Sequence, residues 1–223
     1  MITKEHLNST ELEDIISKKR LSTYNNDLSL YIFNAKLSEN FFLLLQNLEV
    51  GLRNSIYNAF KLKYPNDELF YLYETNLKKR YLSKKEFHSR ECWKMLCAVK
   101  HNLTKQNIII TNDKIISELN FGFWTKLLTD KHYANMWRKI FNDVFPNKIV
   151  ELDIDKTKAL VAKDFNDLRN FRNRVFHFEP IFNKEPKLYH QKVLNSTKWM
   201  SLSLYEISKE FDNFNNIIKK DNK

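Results

Sequence analysis

Residues 27–64 read DLSLYIFNAKLSENFFLLLQNLEVGLRNSIYNAFKLKY. Within this stretch Leu37, Phe41, Leu44, Leu45, Leu48, Leu52, Ile56 and Phe60 recur at steps of three and four, the spacing that keeps apolar side chains on one face of a helix. Pro65-Asn66-Asp67 stops it. The spacing predicts one long amphipathic helix from about Asp27 to Tyr64.

Composition carries the same reading to the rest of the chain. Only 2 Gly and 4 Pro occur in 223 residues. Tight hairpins, dinucleotide-binding turns and phosphate-binding loops all need glycine where φ is positive or where backbone meets phosphate. Neither Gly51 nor Gly122 lies in a glycine-rich loop. Nucleotide-binding α/β folds and multi-hairpin β folds are therefore disfavoured, and an all-α, compact multi-helix domain is expected. With 43% apolar and 14% aromatic residues, the chain is far from the disordered range. No linker rich in Pro, Gly or Ser divides it, so residues 1–223 are expected to form a single helical domain, with residues 106–112 as the best place for a seam.

Lys and Arg number 37 against 27 Asp and Glu, a formal charge of +10 that suits a polyanionic partner. Cys92 and Cys97 are five apart and form no CxxC pair, which reads as two buried free thiols in a reducing compartment. Met1 is followed by the polar run ITKEHLNSTELED, unlike a signal peptide. The longest apolar run, Phe41 to Leu45, is too short to span a bilayer. A cytoplasmic location without membrane insertion is expected. His88, His101, His132 and His190 are scattered without metal-site spacing, so no metal and no cofactor are expected.

Further helices follow from local signals. Asn8-Ser9-Thr10 caps a short first helix to about Leu21. Ser83-Lys84-Lys85-Glu86 is a capping box for a helix to roughly Lys105. Asn112 and Asp113 start a short helix, Tyr133 to Phe145 forms another, and Asp153 to Phe178 a longer one. One or two helices follow Lys187, to about Ile218. Ile108-Ile109-Ile110 is the only strand-like run, too short to found a sheet.

The segment that carries chemistry is Leu168-Arg169-Asn170-Phe171-Arg172-Asn173-Arg174-Val175-Phe176-His177-Phe178-Glu179-Pro180. Three arginines and one histidine fall within nine residues, interleaved with apolar positions. A basic surface helix with one histidine is the plain reading. Yet Phe171, Val175 and Phe176 would pack between the cations and fix them, as a site requires. Arg offers a planar fork for phosphate oxygens, and His moves a proton near neutral pH. Together they suffice to cleave RNA, with His as acid or base and Arg stabilising charge on phosphorus. Asn173 and His177 share a helix face. Arg172 lies about 140° round from His177, so the two meet by reach, by distortion near Pro180, or across an interface with a second copy.

Arg172-Asn173-Arg174-Val175-Phe176-His177 resembles the R-x4–6-H motif of the HEPN superfamily. Its surroundings are similar to Abi-like (abortive infection) proteins of the AbiD/AbiF group. Leu21-Ser22-Thr23-Tyr24, Leu30 through Ser38, and Leu48-Glu49-Val50-Gly51-Leu52-Arg53-Asn54 resemble that group's N-terminal half. Asn120-Phe121-Gly122-Phe123-Trp124 with Trp137, and Arg172 through Phe182, resemble its C-terminal half. The likeness covers about residues 20–200. It implies an all-helical HEPN-type protein of bacterial anti-phage defence. HEPN ribonucleases cut RNA without metal, Arg and His from two motif copies meeting at a dimer cleft, and members of this Abi group resemble toxins restrained by a small structured RNA. Phe178 stands where many relatives carry a second His.

A second motif copy is a further question. Leu52-Arg53-Asn54-Ser55-Ile56-Tyr57-Asn58-Ala59-Phe60 aligns with Phe171 through Glu179, with Asn58 at the place of His177. Either this is a decayed repeat that turns Arg53 toward the pocket of Arg172, or Glu49 and Arg53 form an ordinary i, i+4 pair, or Glu49 orients Arg172 or His177. Asn120 through Trp124 either stacks bases or packs in the core, with Gly122 relieving a close helix approach; Trp93, Trp137 and Trp199 read as core. Lys78-Lys79-Arg80 is either a solvated face or a phosphate-tracking surface.

The expected function is a metal-independent endoribonuclease yielding a 2′,3′-cyclic phosphate. Arg172 and His177 are its candidate catalytic residues, with Asn173 orienting one of them. Arg169, Arg174, Arg53, Lys78, Lys79 and Arg80 are the candidate RNA contacts, and Glu49 and Asn54 the supporting residues. RNA and a second copy of the chain, as a homodimer or higher assembly, are the expected partners. A non-cleaving RNA-binding protein built on the same basic groove is the alternative, and a module that titrates a phage protein is a third.

Overall fold

The protein is described by a computed structural model covering residues 9–65, 91–130, 133–148 and 153–221. Every regular element among them is helical. After a short turn of helix α1 (Ser9–Leu12) and a π-helical turn (Glu13–Ser17) come α2 (Lys18–Ser22) and α3 (Leu28–Lys63). Then follow α4 (Glu91–Lys105), α5 (Asn112–Glu118), α6 (Phe121–Thr129), α7 (Ala134–Val144) and α8 (Ile154–Phe176). The chain closes with α9 (Pro186–Met200), α10 (Leu202–Glu210) and α11 (Phe214–Asp221). The capping box at 83–86, the cluster Lys78, Lys79 and Arg80, and both His88 and His132 lie outside the described residues.

Helix α3 is the axis of the fold. Asp27 caps it, its Oδ1 accepting from the amides of Ser29 at 2.8 Å and Leu30 at 3.4 Å. All eight apolar residues of the predicted stripe are buried, at 0–1% exposure. Each contributes roughly 1.5–3 kcal/mol of transfer free energy. Helices α6, α7, α8, α9, α10 and α11 all pack against α3.

The other caps are sequence-local too. Thr111, Asn120, Asp153 and Ser201 each accept a backbone amide with a side-chain oxygen at a helix start. Phe121, Phe123, Trp124 and Trp137 are in the core, and Trp93 and Trp199 pack partly buried against it. The two glycines mark close approaches. A Cβ on Gly51 would lie 2.7 Å from Leu204 Cδ2, and one on Gly122 would lie 3.0 Å from Asn120 Oδ1 and 3.9 Å from Arg169 Cδ.

Four expectations need correction. The first helix is not continuous to Leu21: Ser17 adopts φ 77°, breaks it after the π turn, and its Oγ caps α2. The motif helix stops at Phe176, two residues earlier than expected, because Phe178 turns left-handed. Where one or two helices were expected after Lys187, three are found from Pro186 on, since Ser201 caps a new helix and Asp212 and Asn213 form another break. Cys97 is only half-buried, whereas Cys92 is buried and its thiol is pushed up to about 12 by desolvation.

Candidate active site

Helices α3 and α8 run antiparallel, so α3 supplies one wall and the motif the other. Asn34 meets Ile181, Phe42 meets Phe176, and Glu49 meets Arg172: as one chain segment advances, the other recedes. Buried Phe171 holds the motif down. Its ring meets Phe41 edge-on at 4.8 Å and stacks on Tyr189 of α9 at 4.1 Å. Leu168, Phe171 and Val175 thus face the core while the cations between them point away.

Arg172 is held from two directions. Its Nη2 lies 3.2 Å from Glu49 Oε2, with both side chains less than a quarter exposed. Its guanidinium sits 3.9 Å from the centroid of the Phe176 ring, which itself stacks on Phe42 at 4.8 Å and 19°. A planar cation on an aromatic face keeps its edge available for hydrogen bonds. The buried Nε atoms of Arg169, Arg172 and Arg174 have no acceptor among the described residues. Of the readings open for Glu49, pairing with Arg172 is the one observed. Arg53, half-buried, donates from Nε to Asn54 Oδ1 at 3.3 Å instead.

The end of α8 is a Schellman turn. The amide of Glu179 donates to Arg174 O at 2.9 Å and that of Phe178 to Val175 O at 3.1 Å. Phe178 takes the left-handed position at φ 57°, where glycine is usual. Arg174 clasps this turn, pairing with Glu179 at 3.0 Å and donating to Pro180 O at 3.2 Å. It therefore serves the turn as well as carrying charge. Arg20 of α2 donates to Phe178 O. Buried Asn34 anchors the continuation: its Oδ1 accepts from the amides of Ile181 at 2.7 Å and Phe182 at 3.2 Å, while its Nδ2 donates to Tyr24 Oη at 3.2 Å. Burial raises the Tyr24 phenol above its ordinary value, keeping it neutral.

His177 is the residue this turn presents. It caps α8, its amide donating to Asn173 O at 2.9 Å, and its exposed side chain makes no hydrogen bond or ion pair among the described residues. Asn173 is likewise exposed. The imidazole is not hydrogen-bonded to Arg172, so a single chain leaves the cationic fork and the proton carrier as separate groups on one ridge. Arg169 lies one turn back on α8, its Nη2 donating to Asn170 Oδ1 at 3.3 Å.

Several residues of this region were not singled out by chemistry in the sequence. Arg20, Asn34, Phe42 and Tyr24 come from α2, α3 and the bend between them, far from the motif in sequence. The one signal was Asn34, a polar residue among apolar neighbours. His190 is not a stray histidine either. Its Nε2 lies 2.7 Å from Asp212 Oδ2, its ring stacks on Phe214 at 4.2 Å, and Asn40 joins Asp212 at 3.3 Å, so it ties α9 to the α10–α11 turn.

Among the described residues no group of three His, Cys, Asp or Glu side chains could hold a metal ion, and no helix is long and apolar enough to cross a membrane. Comparison of the chain with protein-family models, curated proteins and solved structures returns no match.

Proposed function

We propose that the chain is a metal-independent endoribonuclease of a bacterial abortive-infection system, restrained by or assembled with a small structured RNA. The observation that supports it is Arg172, clamped by Glu49 and Phe176 beside a helix end that presents the exposed imidazole of His177. In this reading His177 removes the proton from a ribose 2′-OH. The 2′-oxygen attacks phosphorus, the bond to the 5′-oxygen breaks, and the leaving 5′-oxygen takes a proton from water. The products are a 2′,3′-cyclic phosphate and a 5′-hydroxyl. Arg172 stabilises the charge that builds on the phosphoryl oxygens.

Because His177 and Arg172 of one chain do not meet, the working cleft is formed by two copies, each giving His177 to the Arg172 of the other. Arg53, Arg169 and the Lys78, Lys79 and Arg80 cluster serve as phosphate contacts outside it. The test is cleavage of end-labelled RNA in EDTA by protein stripped of bound RNA in high salt. Cyclic-phosphate ends that vanish in His177→Ala and Arg172→Ala are the expected result.

The separation of Arg172 and His177 also favours a second reading, a non-cleaving RNA-binding protein. It expects tight RNA binding, no cleavage by any form, and altered affinity in the same variants.

A further inference from the structure

A cavity of about 650 Å³ opens beside the motif, within the range of about 300–1,000 Å³ that holds small ligands. Its walls include Tyr31, Ser38 and Phe42 from α3 and Phe176 and Phe178 from the end of α8, with Glu39 also lining it. Phe176 is the shared wall: it lines the cavity and carries Arg172 on its ring.

Three observations say what this cavity takes. Its surface is mostly apolar and includes five aromatic rings; Phe42 and Phe178 are 46% and 69% exposed, and Phe42 has one face on Phe176. Glu39 and Arg20 line it with opposite charges: the carboxylate accepts N–H donors, while the guanidinium is engaged with Phe178 O. The third is strain. An aromatic residue is held at φ 57°, a conformation that Gly or Asn adopts with far less strain. That position carries the Phe178 ring to the cavity wall.

We propose that this cavity receives one unpaired nucleobase of the RNA, stacked against Phe42 and Phe178, and so selects single-stranded RNA and sets which phosphate reaches Arg172. The base enters the aromatic cavity with its N–H edge toward Glu39, and its phosphate stays outside on the Arg172 guanidinium. This rests on the ribonuclease or RNA-binding reading above.

The test compares binding of a short fluorescein-labelled RNA, 2′-O-methylated so that it cannot be cut, as a single strand and as a perfect duplex. The intact chain is used in wild-type, Phe178→Gly, Phe42→Ala and Arg172→Ala forms. Wild type is expected to prefer the single strand by about tenfold or more, the scale of one stacked base. Phe178→Gly and Phe42→Ala are expected to erase that preference, and Phe178→Gly to do so while melting at a higher temperature, which excludes unfolding as the cause. An unchanged preference in both variants, with Arg172→Ala weakening both RNAs, overturns the base cavity and leaves the RNA reading standing. Binding of neither RNA by wild type overturns both. Dissociation of a dimer in the two Phe variants with the single-strand preference intact overturns the proposal in favour of a self-interface.

Discussion

Glu49 on α3 and Arg172 on α8 are 123 positions apart and meet at 3.2 Å, each less than a quarter exposed. The pair fixes the fork of the motif's central arginine against the longest helix of the fold. Its value is orientation: partial desolvation offsets much of the attraction, so the net stabilisation is modest.

Glu49→Gln is therefore expected to cost about 1 kcal/mol in chemical denaturation while lowering RNA cleavage or binding more than that loss explains. A double-mutant cycle with Arg172→Lys is expected to show coupling of roughly 0.5–3 kcal/mol. Additive effects would mean the ion pair is incidental.

Phe178→Gly removes the steric cost of a left-handed aromatic residue, partly offset by the entropy glycine loses on folding. A net gain of about 0.5–1 kcal/mol is expected, a rise in Tm of roughly 1–4 °C for a chain of this size. Phe178→Val, β-branched at the same φ, is expected to lower Tm, so differential scanning calorimetry of the pair reads the strain directly.

Asn34→Ala leaves the amides of Ile181 and Phe182 without their acceptor and Tyr24 Oη without its donor. The expected cost is about 2–4 kcal/mol in urea unfolding. Asn34→Asp keeps the acceptor but introduces a buried charge, and its defect is expected to ease as pH falls and the carboxyl takes a proton.

Gly51→Val pushes branched carbon into Leu204 Cδ2 and Met200 Cε, which a Cβ alone would already approach to 2.7 and 3.2 Å. A loss of about 1–3 kcal/mol is expected. Gly51→Ala is expected to be close to neutral, because those atoms are ends of flexible side chains and alanine favours the helix by about 1 kcal/mol.

Cys92 holds its proton to about pH 12, against 9.0 for the ordinary thiol, through desolvation first of all. The folded pKa is the higher one, so its contribution to stability is complete below about pH 9 and fades as pH rises toward 12. In native protein at pH 8, iodoacetamide is expected to modify Cys97 while sparing Cys92 until urea unfolds the chain. Equal labelling of both thiols in the native state would contradict the burial.

The sequence by itself determined the long helix α3 and most of α8, because their causes are local. The stripe from Leu37 to Phe60 needs only a 3.6-residue period, and Asp27, Asn120 and Asp153 cap with oxygens a few atoms from the amides they serve. It also marked Arg172 and His177 as the residues with chemistry, since residue type is written in the chain. Where α8 ends was less legible: nothing local favours an aromatic residue at φ 57°, and that turn is held by Arg20 and Asn34 from elsewhere. Only the tertiary structure decided that Glu49 turns to Arg172 rather than Arg53, that Phe42 stacks on Phe176, and that Asn34 anchors the segment after Pro180. These contacts join residues more than a hundred positions apart, and the antiparallel register that creates them comes from packing two apolar faces, which no short window of sequence contains.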